Sequence, residues 1–104
     1  MRKGNDLEVV AQAIICPEDS DAMTLKYFLL QLHVPGKEWE TQYGLRVDKY
    51  HHTGALLERE ETQALTSSLD DVTALANAFA AGAVPPCVLN EMVEEWQDVM
   101  LVNA

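Results

Sequence analysis

Residues 39–48 carry the clearest hydropathy pattern in the chain. Trp39, Thr41, Tyr43, Leu45 and Val47 alternate with Glu40, Gln42, Gly44, Arg46 and Asp48. A period of two puts the two sets on opposite faces and predicts an antiparallel strand with one buried and one wet side. Residues 24–34 are rich in aromatic and aliphatic side chains and predict a strand before it. Their alternation is blurred, as in a strand covered on more than one side. Proline then glycine at Pro35-Gly36 suits the centre of a type II turn. Such a turn splays a tight hairpin, so the connection is expected to extend over 36–38. His33 closes the earlier strand. A third, more polar strand is expected within 54–65, with Ala55, Leu57, Ala64 and Leu65 as its apolar positions.

The spacing then becomes helical. Ser68-x-x-Asp71 resembles a capping box with Asp in place of Glu, and Asp70 and Asp71 suit the positive end of a helix dipole. Val72, Leu75, Ala76 and Phe79 form a buried stripe, and Gly82 supplies a left-handed stop. Pro85-Pro86 opens a second helix, where a missing amide proton does no harm. Leu89, Met92, Val93, Trp96 and Met100 make its apolar face; Asn90, Glu91, Glu94, Glu95 and Asp98 make its wet one. Near the start of the chain, Leu7, Val10, Ala11 and Ile14 recur at i, i+3, i+4 and i+7 and predict a short helix over 5–15. Asn5 or Asp6 caps it and Cys16-Pro17 ends it.

These elements give a single α+β domain over 23–104: a three-stranded antiparallel sheet followed by two C-terminal helices. Residues 1–22, a short helix plus a polar linker, read as an appendage whose removal should leave a folding domain. A length of 104 residues leaves room for one domain and not two. Few strands leave sheet edges open, which is consistent with a homodimer.

Charge narrows the range of partners. Seven Lys and Arg oppose seventeen Asp and Glu, for a net −10. Residues 1–59 hold all the basic residues; residues 60–104 hold eight acidic residues and no Lys or Arg. Nucleic-acid binding draws on cations that neutralise phosphates, so direct nucleic-acid binding is not expected, nor is adhesion to an anionic membrane surface. No stretch approaches the ~20 apolar residues that cross a bilayer. The basic start and the run to Cys16 lack a signal peptide's length and cleavage site, so the expected location is the cytoplasm. Cys16 and Cys87 form no CxxC pair and read as two reduced thiols.

The chemistry-bearing motifs are sparse. The glycines are too scattered for a phosphate cradle, and there is no HExxH, GxSxG or EF-hand loop. His51 and His52 are adjacent, and Cys87 stands at a helix start where a thiol pKa can fall, so a metal-binding or enzymatic protein using His51, His52 and Cys87 is one alternative. Against it, adjacent residues on an extended backbone point apart, and Cys87 reads as a small apolar side chain in the helix–sheet seam. The paired carboxylates Glu60-Glu61, Asp70-Asp71 and Glu94-Glu95 read as solvated faces and caps. No catalytic residue, cofactor or metal site is assigned.

Three runs resemble a known group of proteins. Lys26-Tyr27-Phe28-Leu29-Leu30, Tyr43-Gly44-Leu45-Arg46-Val47, and Pro86-Cys87-Val88-Leu89-Asn90-Glu91-Met92-Val93-Glu94-Glu95-Trp96 look like a family of small bacterial proteins, of the Firmicutes type, whose function is unknown. The resemblance covers about residues 24–97. It implies a Tyr-Gly-Ile/Val strand and a C-terminal helix opening with proline. Val84-Pro85 stands where the group has a small capping residue. It implies no activity.

The preferred reading is a small acidic, non-enzymatic interaction module, regulatory or adaptor in kind, with a protein of basic character as the expected partner. The wet face of the last helix, Glu91, Glu94, Glu95 and Asp98, is the expected contact. A further alternative is that the acidic surface mimics nucleic acid.

Overall fold

The structure, a computed structural model, describes residues 8–15, 22–34 and 36–102. Four strands come first: β1 (Glu8–Ile15), β2 (Met23–Val34), β3 (Lys37–His51) and β4 (Leu56–Glu61). They form one antiparallel sheet in chain order, each strand paired with its neighbours in sequence. Two helices follow, α1 (Leu69–Ala81) and α2 (Leu89–Val102), the second preceded by a 3-10 turn at Pro86–Val88. The expected α+β class and both C-terminal helices are present; the sheet has four strands rather than three.

The fourth strand lies where a helix was expected. Residues 8–15 pair with β2 from Glu8↔Leu29 to Ile15↔Met23, with a bulge between Val9 and Ala11. Ala11, Ala13 and Ile15 pack against the core while Gln12 and Ile14 face solvent. Four of the eight residues, Val9, Val10, Ile14 and Ile15, are β-branched and favour an extended backbone over a helix. The proposed caps Asn5 and Asp6, and Cys16-Pro17, lie outside the described residues.

One side of the sheet is roofed by helices. Leu25, Tyr27 and Leu29 of β2 and Leu45 and Val47 of β3 point to that side, where they meet Val72, Leu75, Ala76 and Phe79 of α1 and Leu89 and Val93 of α2. These are the stripes the spacing predicts. The connection between β2 and β3 is shorter than expected. Val34 pairs with Lys37, Gly36 holds φ +80°, and a bulge between His33 and Val34 absorbs the splay. Pro35 itself lies outside the described residues.

The ends of α1 are built from local hydrogen bonds. Ser68 Oγ accepts from the Asp71 amide at 3.1 Å, as the cap requires. The Ser68 amide donates to Thr66 Oγ1 instead of to Asp71, so the reciprocal half of a capping box is not made. At the other end Gly82 is not the left-handed residue: its φ is −92°, and Ala83 has φ +52°. The Ala83 amide reaches Ala80 O at 3.0 Å and the Val84 amide reaches Phe79 O at 3.0 Å. That pair of bonds, with Val84 and Phe79 both buried, is a Schellman stop displaced one residue from the glycine.

Candidate interaction surface

The position of α2 follows from its apolar face. Leu89 and Val93 are buried against the sheet, and Met92 and Trp96 are partly covered. The intervening positions must then face water, and Glu91, Glu94, Glu95 and Asp98 are all exposed. The structure thus puts the four expected residues on one accessible helix. No ion pair among the described residues involves them.

The described cations lie elsewhere. On β3, Leu45 and Val47 face the helices, so Arg46, Asp48 and Tyr50 face the opposite side. There the Asp48 carboxylate is fully buried and serves as a hub. Arg59 of β4 donates Nε–H to Oδ1 at 2.9 Å and a second N–H to Oδ2 at 3.1 Å; Arg46 donates to Oδ2 at 3.1 Å and the Tyr50 hydroxyl to Oδ2 at 2.8 Å. Burial pushes the Asp48 pKa up, but hydrogen bonds from Arg59 and Tyr50 and the charges of Arg46 and Arg59 outweigh it and hold the carboxyl below its ordinary range. The same bond to Asp48, reinforced by burial, raises the Tyr50 pKa. Arg46 also lies over the Phe28 ring at 4.4 Å, and Lys26 over Tyr50 at 5.2 Å. Lys49 sits 3.5 Å from Glu58. Lys26, Arg46 and Arg59, the sheet cations that could have served as counter-ions for α2, are engaged on the far face of the sheet.

The histidine–cysteine alternative finds no shared site. His51 ends β3, and the turn after it brings the His52 ring to 4.2 Å from the His51 ring, so the two do not point apart as an extended backbone would place them. His51 Nδ1 lies 3.0 Å from Thr53 Oγ1. Cys87 is a free, exposed thiol in the turn before α2, not a seam residue, and lines a shallow depression with Glu58, Arg59, Glu60 and Pro86. Cys16 lies outside the described residues. Among the described residues no three His, Cys, Asp or Glu side chains come together as a metal site, so His51, His52 and Cys87 do not form one.

Two features escaped the sequence reading. The Asp48 hub was half legible, since positions 46, 48 and 50 share a face by alternation, but Arg59 joins it only through the β3–β4 register Asp48↔Arg59. The other is a groove between the helices, lined by Asp71, Ala74, Leu75, Ala78 and Trp96. Among the described residues no helix is long and apolar enough to cross a membrane.

A small α+β protein with an acidic helical face is what fold and surface define. The chain belongs to DUF6514, a family of unknown function, whose model matches residues 7–99. That span begins earlier than the motif resemblance over 24–97 and takes in β1. No curated protein and no solved structure matches the chain.

Proposed function

We propose that the protein is a non-enzymatic interaction module, a regulatory or adaptor protein of the bacterial cytoplasm, that presents the outer face of α2 to a basic protein. The observation that carries this reading is that, among the described residues, no cation pairs with that face. Glu91, Glu94, Glu95 and Asp98 are exposed, while Lys26, Arg46, Lys49 and Arg59 are engaged with other groups. Glu91–Glu95 and Glu94–Asp98 are like-charged at i, i+4, each unfavourable by roughly 0.2–0.5 kcal/mol in an isolated helix. The last turn of α2 carries no basic residue to oppose the dipole. A basic partner relieves both penalties at once, and a field of one sign speeds its encounter.

The test is affinity purification from the source cell with the wild-type chain and with Glu94→Lys/Glu95→Lys. The double reversal should remove a basic protein from the eluate while leaving the melting transition intact. If every co-purifying protein survives it, the acidic face is only solvent-facing and the reading is wrong.

A further inference from the structure

The two helices do not close over the sheet as a tight pair. α1 packs on β1, β2 and β3, whereas α2 meets β4 and its leading turn meets β3 and β4. Between them lies the groove of about 190 Å³ lined by Asp71, Ala74, Leu75, Ala78 and Trp96. Asp71, Ala74 and Ala78 recur at i, i+3 and i+7, so one side of α1 presents two methyl groups and a carboxylate. The opposite wall is the partly exposed Trp96, and Val99, three residues further along α2, is 56% exposed.

Size and chemistry select the occupant. Small-molecule sites usually run to about 300–1,000 Å³, and this groove is smaller; it suits one or two inserted apolar side chains. An extended peptide laid between two helices finds no sheet edge there, so its backbone groups would be desolvated without partners. A helix satisfies its own backbone and presents side chains at i, i+3, i+4 and i+7. Charge complementarity fixes the flanks: residues 60–104 carry eight carboxylates and no Lys or Arg, with Asp71 in the groove and Glu91, Glu94, Glu95 and Asp98 along the neighbouring helix.

We propose that the α1–α2 groove is the anchor site for an amphipathic helix with basic flanks, whose apolar stripe inserts beside Trp96 between Ala74 and Ala78. This rests on the reading of α2 as a face for a basic partner and adds to it a defined apolar seat. Charge brings the helix in, and the groove holds its register.

The probes are two synthetic helical peptides of identical charge, one with Leu at i, i+3, i+4 and i+7 among Lys residues, the other with those Leu replaced by Ser. In the full chain carrying Trp39→Phe, Trp96 is the remaining tryptophan and its emission reports the groove. Anisotropy of labelled peptides on the unmodified chain makes the same comparison without that substitution. The Leu/Lys peptide should bind at least tenfold more tightly than the Ser/Lys peptide and shift Trp96 emission to shorter wavelength. Ala78→Leu, which fills the groove without changing charge, should erase the tenfold difference and the emission shift but leave salt-sensitive binding. Glu94→Lys/Glu95→Lys should weaken both peptides. Equal binding of the two peptides, or an unaltered preference in Ala78→Leu, overturns the groove while sparing the acidic-face reading. If neither peptide binds, or if the charge reversal changes neither, the acidic face itself is not a site and both proposals fall.

Discussion

The Tyr27 hydroxyl donates to the Val84 carbonyl at 2.7 Å, joining the middle of β2 to the turn between the helices. Tyr27 is fully buried, and its bond satisfies a carbonyl that the helix stop leaves free. Tyr27→Phe keeps the ring and strips the donor, so it should lower stability by about 1–3 kcal/mol in a denaturant titration. Burial also pushes the Tyr27 pKa up to about 12 from 10.0. The folded chain therefore keeps a proton that the unfolded chain gives up. That contribution is complete below pH 10 and is lost as pH rises through about 12. The alkaline loss of stability should be shallower in Tyr27→Phe than in the wild type.

The glycine at the end of α1 is one residue early for the left-handed position. Ala83 has φ +52°, where a Cβ is strained, whereas Gly82 has φ −92° and a Cβ added there would meet its nearest neighbour, Ala78 O, at an ordinary 3.7 Å. Exchanging them, Gly82→Ala with Ala83→Gly, should stabilise the protein by roughly 1 kcal/mol, read as a rise of several degrees in melting temperature. Gly82→Ala alone should also be tolerated.

Gly44 has a spatial reason to lack a side chain. Beyond β4 the chain continues beside β3, with Thr62 Oγ1 accepting from the Leu45 amide at 2.9 Å and donating to Gln63 O at 2.8 Å. A Cβ at position 44 would stand 2.8 Å from both of those oxygens. Gly44→Ala should force that strap outward and destabilise by about 1–3 kcal/mol, visible in thermal melts by circular dichroism.

Asp48 should set the acid limb. Because its folded pKa is held below that of the unfolded chain, its contribution is whole above the ordinary carboxylate value of about 3.9 and disappears as pH falls through the lower folded value. Asp48→Asn should lose about 2 kcal/mol at pH 7, since two arginines and Tyr50 then face a neutral amide. The gap between wild type and variant should narrow as pH falls through the carboxylate range, measured by urea denaturation at pH 7 and in acid.

Deleting residues 1–22 removes all of β1, and with it Ala11, Ala13 and Ile15 from beneath α1. The shortened chain should melt well below the full chain or fail to give a cooperative transition. A transition matching that of the full chain would show that the domain begins at β2.

What the sequence disclosed depended on how local the deciding interaction was. Strong alternation identified β3, and a capped 3.6-residue pattern identified α1, because each signal lies within its own element. Residues 8–15 carried both signals: Val10, Ala11 and Ile14 fit a helical face, while Ala11, Ala13 and Ile15 fit one side of a strand. Pairing with β2 decided between them, and that partner lies across an intervening segment. The exposure of Glu91, Glu94, Glu95 and Asp98 was legible because a helix that buries Leu89 and Val93 must turn those positions outward. The groove was not, since it depends on how far apart two helices settle on the sheet, α1 toward β1 and β2 and α2 toward β4. Residue type alone points to Gly82 as the left-handed residue, whereas the hydrogen bonds to Phe79 and Ala80 put that conformation at Ala83.

Strand order in the sheet follows chain order, and both helices come last. The sheet can therefore zip up hairpin by hairpin as the chain emerges from the ribosome, with no strand waiting for a distant partner. Its roof arrives later. Until residues 72–79 and 89–93 are made, Leu25, Tyr27, Leu29, Leu45 and Val47 stand on an uncovered apolar sheet. That interval during synthesis is when the chain is most exposed to aggregation and strand exchange, so truncations that stop short of α1 should accumulate as insoluble protein.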